Sequence, residues 1–203
     1  MFDAFFIPQT TSSNCTVTVA TMTVNALRGF ETGLAVPEFD QMRLLEAVGS
    51  KSWIEKTGED GAGTTFKEFG GYLRRSLDAA GLDDVGLKMR APKSRDLKDL
   101  ARLRAALRKM ESRPDRLMTI VFNQGVLTGN WNGLHASAIG AYDERQDRVL
   151  VMDVDRVGRP AYWTSTARLL GSMIKPAPLD EGRLAGEAGG YILIGRDRPR
   201  AQG

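Results

Sequence analysis

The sequence has one cysteine, Cys15, and one histidine, His135, among 203 residues. A single cysteine excludes an intrachain disulfide, a CxxC redox pair and a cysteine-built structural zinc site. Any thiol chemistry must therefore use Cys15 as nucleophile and His135 as its imidazole. No run of about 18 apolar residues occurs, so no membrane-spanning helix is expected. The opening stretch Met1 to Ile7 is apolar, too short for a signal peptide and without basic residues ahead of it, which makes the cytoplasm the expected location. A one-sided charge is also missing. The 28 basic and 25 acidic residues interleave to a net charge of +3, which argues against a nucleic-acid partner.

What is present describes a globular chain. Hydrophobic residues make up 42% of it, enough for a buried core, and its length fits a single domain spanning 1–203. From Ser12 to Leu27, valines and threonines favour a strand, while Ser12, Ser13 and Asn14 supply N-cap chemistry and Gly29 a stop. A buried helix is expected there. Further helices are expected over Pro37 to Val48, Thr65 to Ala80, Ser94 to Met110 and Thr164 to Met173. Strands are expected over Val85 to Met89, Leu117 to Phe122 and Tyr191 to Ile194. Gly58 to Gly63, Asn123 to Gly133 and Pro176 to Gly190 read as loops. His135 to Tyr142 and Arg148 to Val154 flank a polar five-residue turn and read as a β-hairpin. Helices lead and antiparallel strands follow, so the class is α+β. Trp131 and Trp163 read as packing residues.

A thiol nucleophile needs a thiolate, which a helix N-terminus or an imidazolium favours. Cys15 follows the Ser12-Ser13-Asn14 cap, and His135 opens a strand after a Gly-rich loop. The imidazole also needs a third group to fix its tautomer and orientation. If Tyr142 pairs with Arg148, Ser137 pairs with Asp153, and Asp153 then reaches His135 from the neighbouring strand. A slip of one residue would turn Asp153 to the other face. Asp155 is the rival. Gln9 stands six residues ahead of Cys15, a spacing that resembles papain-like enzymes, where such a glutamine joins the nucleophile's own N–H in holding an oxyanion.

The segments together resemble the phytochelatin synthase family, papain-like cysteine transpeptidases acting on glutathione. They are Gln9 to Cys15, then Asn25-Ala26-Leu27; Gly63-Thr64-Thr65; His135 with Ile139-Gly140-Ala141-Tyr142; and Asp153-Val154-Asp155-Arg156, followed by Pro160 and Trp163. The resemblance runs from about Gln9 to Gly195 and implies a papain-like fold, N-terminal helices packed on a C-terminal antiparallel sheet. It implies Cys15, His135, Asp153 and Gln9 as catalytic residues and Arg156 as a holder of a substrate carboxylate, a plain salt bridge being the other reading of Arg156. A glutathione-like peptide is the implied partner. The chemistry requires no cofactor and no protein-bound metal, and a homodimer stays open. No cysteine-rich C-terminal region is present, as in short prokaryotic members, which are expected to favour hydrolysis to γ-glutamylcysteine over transfer to a second glutathione. The sequence departs from the family at Thr10-Thr11-Ser12, Thr16 and Ala136-Ser137-Ala138, positions that flank the expected cleft. Two alternatives remain: an amidase or acyltransferase with a different substrate, and an idle fold.

Overall fold

The computed structural model describes residues 2–155 and 161–196. After a 3-10 turn at Phe2–Phe5, helix α1 spans Cys15–Thr32. Every residue from Thr16 to Leu27 is buried. The β-branched composition that favoured a strand is accommodated because the buried hydroxyls of Thr18, Thr21 and Thr23 donate to the carbonyls of Asn14, Val17 and Val19, at 3.0, 2.9 and 2.7 Å. Each polar group is thus satisfied inside the helix, and the threonines bury like valines. Gly29 does not end the helix, which runs on to Gly33 in the left-handed conformation. A Cβ at Gly29 would lie 2.4 Å from the Phe5 ring, so glycine is needed for close packing.

Helix α2 is shorter than expected. It spans Gln41–Val48, and the Asp40 side chain caps it by accepting the Arg43 N–H at 2.8 Å. Pro37 lies ahead of the helix and does not start it. Helix α3, Lys51–Thr57, was not legible in the sequence; its seven residues follow α2 after one glycine and the capping Ser50. Helix α4 spans Phe66–Ala79 behind a full capping box between Thr65 and Glu68. Strand β1, Gly86–Arg90, precedes helix α5, Leu97–Glu111. The Asp96 cap places Leu97 on the solvent side, while Leu103 and Leu107 are fully buried. Strand β2 is Leu117–Asn123; the short helix α6, Gln124–Thr128, occupies what read as a loop. Strands β3, Leu134–Asp143, and β4, Arg148–Met152, form the expected hairpin. Strand β5, Ala161–Ser165, takes the start of the expected last helix, leaving α7 as Thr166–Ile174. Strand β6, Gly190–Gly195, closes the described chain.

The six strands form one antiparallel sheet in the order β1-β6-β2-β3-β4-β5. The fold is α+β. Alternation along β2 and β6 feeds two cores: Leu117, Val121, Ile192 and Ile194 face the layer of α1 to α4, and Met118, Ile120, Tyr191 and Leu193 face α5 and α7. The N-terminal helices therefore cover only one face, and α5 with α7 covers the other.

One irregularity in the hairpin decides which residue stands opposite Asp153. Tyr142 pairs with Val149 and not with Arg148 as expected, but the register shifts between Ile139 and Ala141, so that Ala138 pairs with Met152. Gly140 is the extra residue of this bulge. A Cβ there would meet Met152 at 2.9 Å and Leu150 at 3.1 Å. Glu111 of α5 accepts the Tyr142 N–H beside the bulge, at 2.7 Å. The shift by one cancels the error by one, and Ser137 comes to lie opposite Asp153 after all.

Candidate active site

The nucleophile side is an irregular stretch from Pro8 to Asn14 that ends in the first turn of α1. Cys15 is the first residue of that helix and is half-buried. Asn14 occupies the N-cap position without capping. Its Oδ1 reaches back to accept the N–H groups of Thr10 and Thr11, at 3.0 and 3.2 Å. The neighbouring hydroxyls do not cap the helix either. Thr11 donates to the Thr57 carbonyl, Ser13 donates to the Gly61 carbonyl, and Ser12 accepts the Asp60 N–H, at 2.7, 2.6 and 3.1 Å. They fasten the Gly58–Gly63 loop to the nucleophile.

Gln9 is buried, and its N–H donates to the Val154 carbonyl at 2.9 Å, one residue beyond Asp153. Its Oε1 is buried with no hydrogen-bond partner among the described residues. An amide left unmet in this way retains hydrogen-bonding capacity for a bound molecule, and a half-turn of the group exchanges acceptor for donor.

On the base side, His135 is paired with Phe122 across β3 and β2, and the two rings meet edge-on at 81° with centroids 5.8 Å apart. His135 Nε2 lies 2.7 Å from Asp153 Oδ1. Both residues are nearly inaccessible, at 4% and 1% exposure. The same carboxyl oxygen accepts Ser137 Oγ–H at 3.3 Å and the Asp155 N–H at 3.1 Å, and Oδ2 accepts the Tyr162 hydroxyl at 2.9 Å. Four donors thus hold one carboxylate. Asp153, and not Asp155, faces the imidazole. Asp155 instead accepts the Gln124 side chain at 2.8 Å.

Burial alone would lower the pKa of His135. The hydrogen bond to Asp153 and a contact with the Cys15 thiol outweigh it and raise the value to about 10. Since Nε2 serves Asp153, Nδ1 is left for the thiol. Burial opposes the charge on Asp153 too, but its bonds to His135, Asp155 and Tyr162 hold its pKa below the usual value. Tyr162 is pushed the other way, raised by burial and by the adjacent carboxylate. The structure thus brings together the three side chains read from the sequence as nucleophile, base and orienting acid, with the buried His135 ring between the other two.

Cys15 and His135 open onto a cleft of about 550 Å³ lined also by Ser12, Ser13, Gly61, Trp131 and Leu184. Asp60, Asp180 and Glu181 add three carboxylates to its walls. Trp131 is 47% exposed and borders the cleft with its ring packed over Gly133, and Trp163 is 43% exposed on the edge strand, so neither is buried in a core. Arg156 lies outside the described residues. Among the described residues, no group of three or more His, Cys, Asp or Glu side chains is placed to hold a metal ion, and no helix is long and apolar enough to cross a membrane. Sequence reasoning missed Tyr162; it set Ser137 opposite Asp153 without reading its bond to the carboxylate, and it read Asn14 as a helix cap and not as the acceptor of the Thr10 and Thr11 N–H groups.

A cysteine at a helix start, with an imidazole and a carboxylate aligned behind it, is the arrangement of enzymes that transfer acyl groups through a thiol. The chain belongs to the phytochelatin synthase family, whose sequence model matches residues 2–182. It is 31% identical over 80 residues to glutathione gamma-glutamylcysteinyltransferase of Schizosaccharomyces pombe. That match covers 39% of this chain and only 18% of the relative's length. Among solved structures it is similar to the Pseudomonas avirulence protein AvrPphB, with 8% identity and a TM-score of 0.29 over 96% of this chain and 99% of that one. A likeness that distant carries no conclusion.

Proposed function

We propose that the chain is a cysteine-dependent acyltransferase or hydrolase that cleaves the Cys–Gly amide of glutathione. The observation that carries the reading is the buried His135 imidazole, 2.7 Å from Asp153 on one side and in contact with Cys15 on the other. His135 is the base placed to take the thiol's proton. Cys15 Sγ attacks the amide carbonyl, and the oxyanion is held by the Cys15 N–H at the start of α1 and by the Gln9 side-chain amide. His135 then gives its proton to the departing glycine nitrogen as the C–N bond breaks. A γ-glutamylcysteinyl thioester remains on Cys15. Water or the amine of a second glutathione attacks it, His135 takes the proton, and the thiolate leaves. Water yields γ-glutamylcysteine and the amine yields a longer peptide. Family membership and the relative named for glutathione support the substrate class. Arg156 is proposed to bind a substrate carboxylate.

The cleft wall favours a second reading. Asp60, Asp180 and Glu181 suit an acyl compound bearing a cationic amine better than a peptide of net negative charge such as glutathione. Mass spectrometry of the protein and of Cys15→Ala with glutathione decides between the two. Free glycine that depends on Cys15, with a γ-glutamylcysteinyl adduct on the unmodified chain, supports the first. No glycine and no adduct removes glutathione and leaves the amine-bearing acyl compound.

A further inference from the structure

Gln41 has no part in the chemistry just described, yet it is a buried polar residue far from the cleft's sequence segments, with 7% exposure. It is the first residue of α2, where the Asp40 side chain already serves the helix end, so its own amide is free for tertiary bonds. Gln41 Nε2 donates to the Pro8 carbonyl at 2.9 Å. Gln41 Oε1 accepts the Thr10 hydroxyl at 2.7 Å and Asn14 Nδ2 at 2.5 Å. The residues on both sides of Gln9 are therefore tied to one side chain, and the Gln9 N–H is tied to Val154. Burying a glutamine is costly unless its amide is satisfied, and each of these bonds goes to the loop that carries Gln9 into Cys15.

The support continues one layer further. Asn25 of α1 accepts the N–H groups of Glu38 and Phe39 at 3.0 and 2.9 Å and donates to the Phe39 carbonyl at 2.8 Å. The nucleophile's own helix thereby fixes the approach to α2, and α2 in turn fixes the Gln9 loop.

We propose that Gln41 is a positioning residue that sets where the Gln9 amide stands relative to Cys15. The proposal rests on the reading of Gln9 as an oxyanion donor. A donor displaced by about 1 Å loses one to two orders of magnitude in rate. Gln41→Glu keeps acceptors for Thr10 and Asn14 but removes the donor to Pro8, and Gln41→Leu removes all three bonds.

The test reads Cys15 acylation with p-nitrophenyl acetate, which needs an oxyanion site whatever the natural substrate, in wild type, Gln41→Glu, Gln41→Leu, Gln9→Ala and the double variants. Thermal midpoints are measured on the same samples. The expected result is an acylation rate about 10- to 100-fold lower in Gln41→Glu with little change in KM, in protein whose unfolding midpoint stays well above the assay temperature. In the Gln9→Ala background the same substitution changes the rate by less than about twofold. Equal losses in both backgrounds, or a lowered midpoint with an unchanged rate, overturn the proposal and leave Gln41 a structural bond. A Gln9→Ala variant as fast as wild type strikes the reading of Gln9 instead, and the role of Gln41 falls with it.

Discussion

The loop that brings Gln9 to Cys15 and the hairpin that brings His135 to Asp153 reach the same cleft by different means. The loop has no regular structure between Pro8 and Asn14 and is held by side chains: Asn14 from below, Gln41 from α2, and the hydroxyls of Thr11, Ser12 and Ser13 against the Gly58–Gly63 loop. The hairpin is held by backbone pairing, with a single bulge at Gly140 deciding which face each side chain takes. A ladder positions every residue in it at once, so one register error misplaces them all. A side-chain network positions one short stretch, and its loss is local and graded. The two halves of the site should therefore fail differently.

Inserting a second glycine after Gly140 should have the largest effect. The bulge takes up one extra residue; a second shifts the start of β3 by one, so that His135 and Ser137 turn away from Asp153. Glycine release, or whichever Cys15-dependent acyl transfer proves to be the reaction, should drop by about 10³-fold or more, the scale of losing the base itself. Activity within tenfold of wild type would mean that the bulge absorbs a second residue and does not set the register.

Asp153→Asn comes next. It keeps the shape of the hairpin and removes the charge, so the rate should fall by about 10²- to 10⁴-fold. The pH–rate profile should change with it. The raised pKa of His135 places the alkaline limb well above 6.5, towards about 10, and Asp153→Asn should bring it down towards 6.5. The same shifts act on stability. The contribution of His135 is complete below 6.5 and is lost as the pH rises through its native value, whereas that of Asp153 is complete above 3.8 and is lost as the pH falls through its lowered native value.

On the loop side, Asn14→Ala should cost about 1–3 kcal/mol in urea unfolding, because it removes the acceptor of the partly buried Thr10 and Thr11 N–H groups and the buried donor to Gln41. The rate should fall less than in either hairpin variant. A larger loss of rate than in Asp153→Asn would erase the distinction between the two halves.

Glu68→Gln should do least. Glu68 takes ion pairs from Lys56 and Arg183 and so ties the segment beside the Gly58–Gly63 loop to the one that carries Asp180 and Glu181. Partial burial opposes its charge, but the Thr65 N–H, Lys56 and Arg183 lower its pKa to about 2. Its contribution is present above 4.5 and is lost as the pH falls towards 2. The pairs are partly exposed, and the loss at neutral pH should be below about 1 kcal/mol by urea unfolding.

The same contrast explains what was legible in the sequence. Cys15 and His135 were found because each is the sole member of its type, and Asp153 because a two-residue period carries a register along a hairpin. The expected pairing of Tyr142 with Arg148 was off by one, and the bulge at Gly140 returned the alignment at the end that matters. Helix α1 was readable only against its β-branched composition, since the threonine bonds to preceding carbonyls have no signature in a pattern of residue types. Asn14 looked like an ordinary helix cap, whereas its amide bonds backward to a loop. Gln41, 26 residues from Cys15 in sequence, carried no local signal at all. Strand β5, and with it Tyr162, went unread because Thr164 to Thr166 suits a helix start as well as a strand end.

The proposed chemistry turns on the state of one imidazole, and the chain has only one. Nitrogen-15 NMR of His135 as a function of pH reads it without ambiguity of assignment. Both ring nitrogens protonated at about pH 7.5, with titration far above 6.5 that returns towards 6.5 in Asp153→Asn, is the predicted result. A neutral ring at about pH 7.5 that titrates at or below 6.5 would contradict the buried imidazolium, and with it the line from Asp153 through His135 to Cys15.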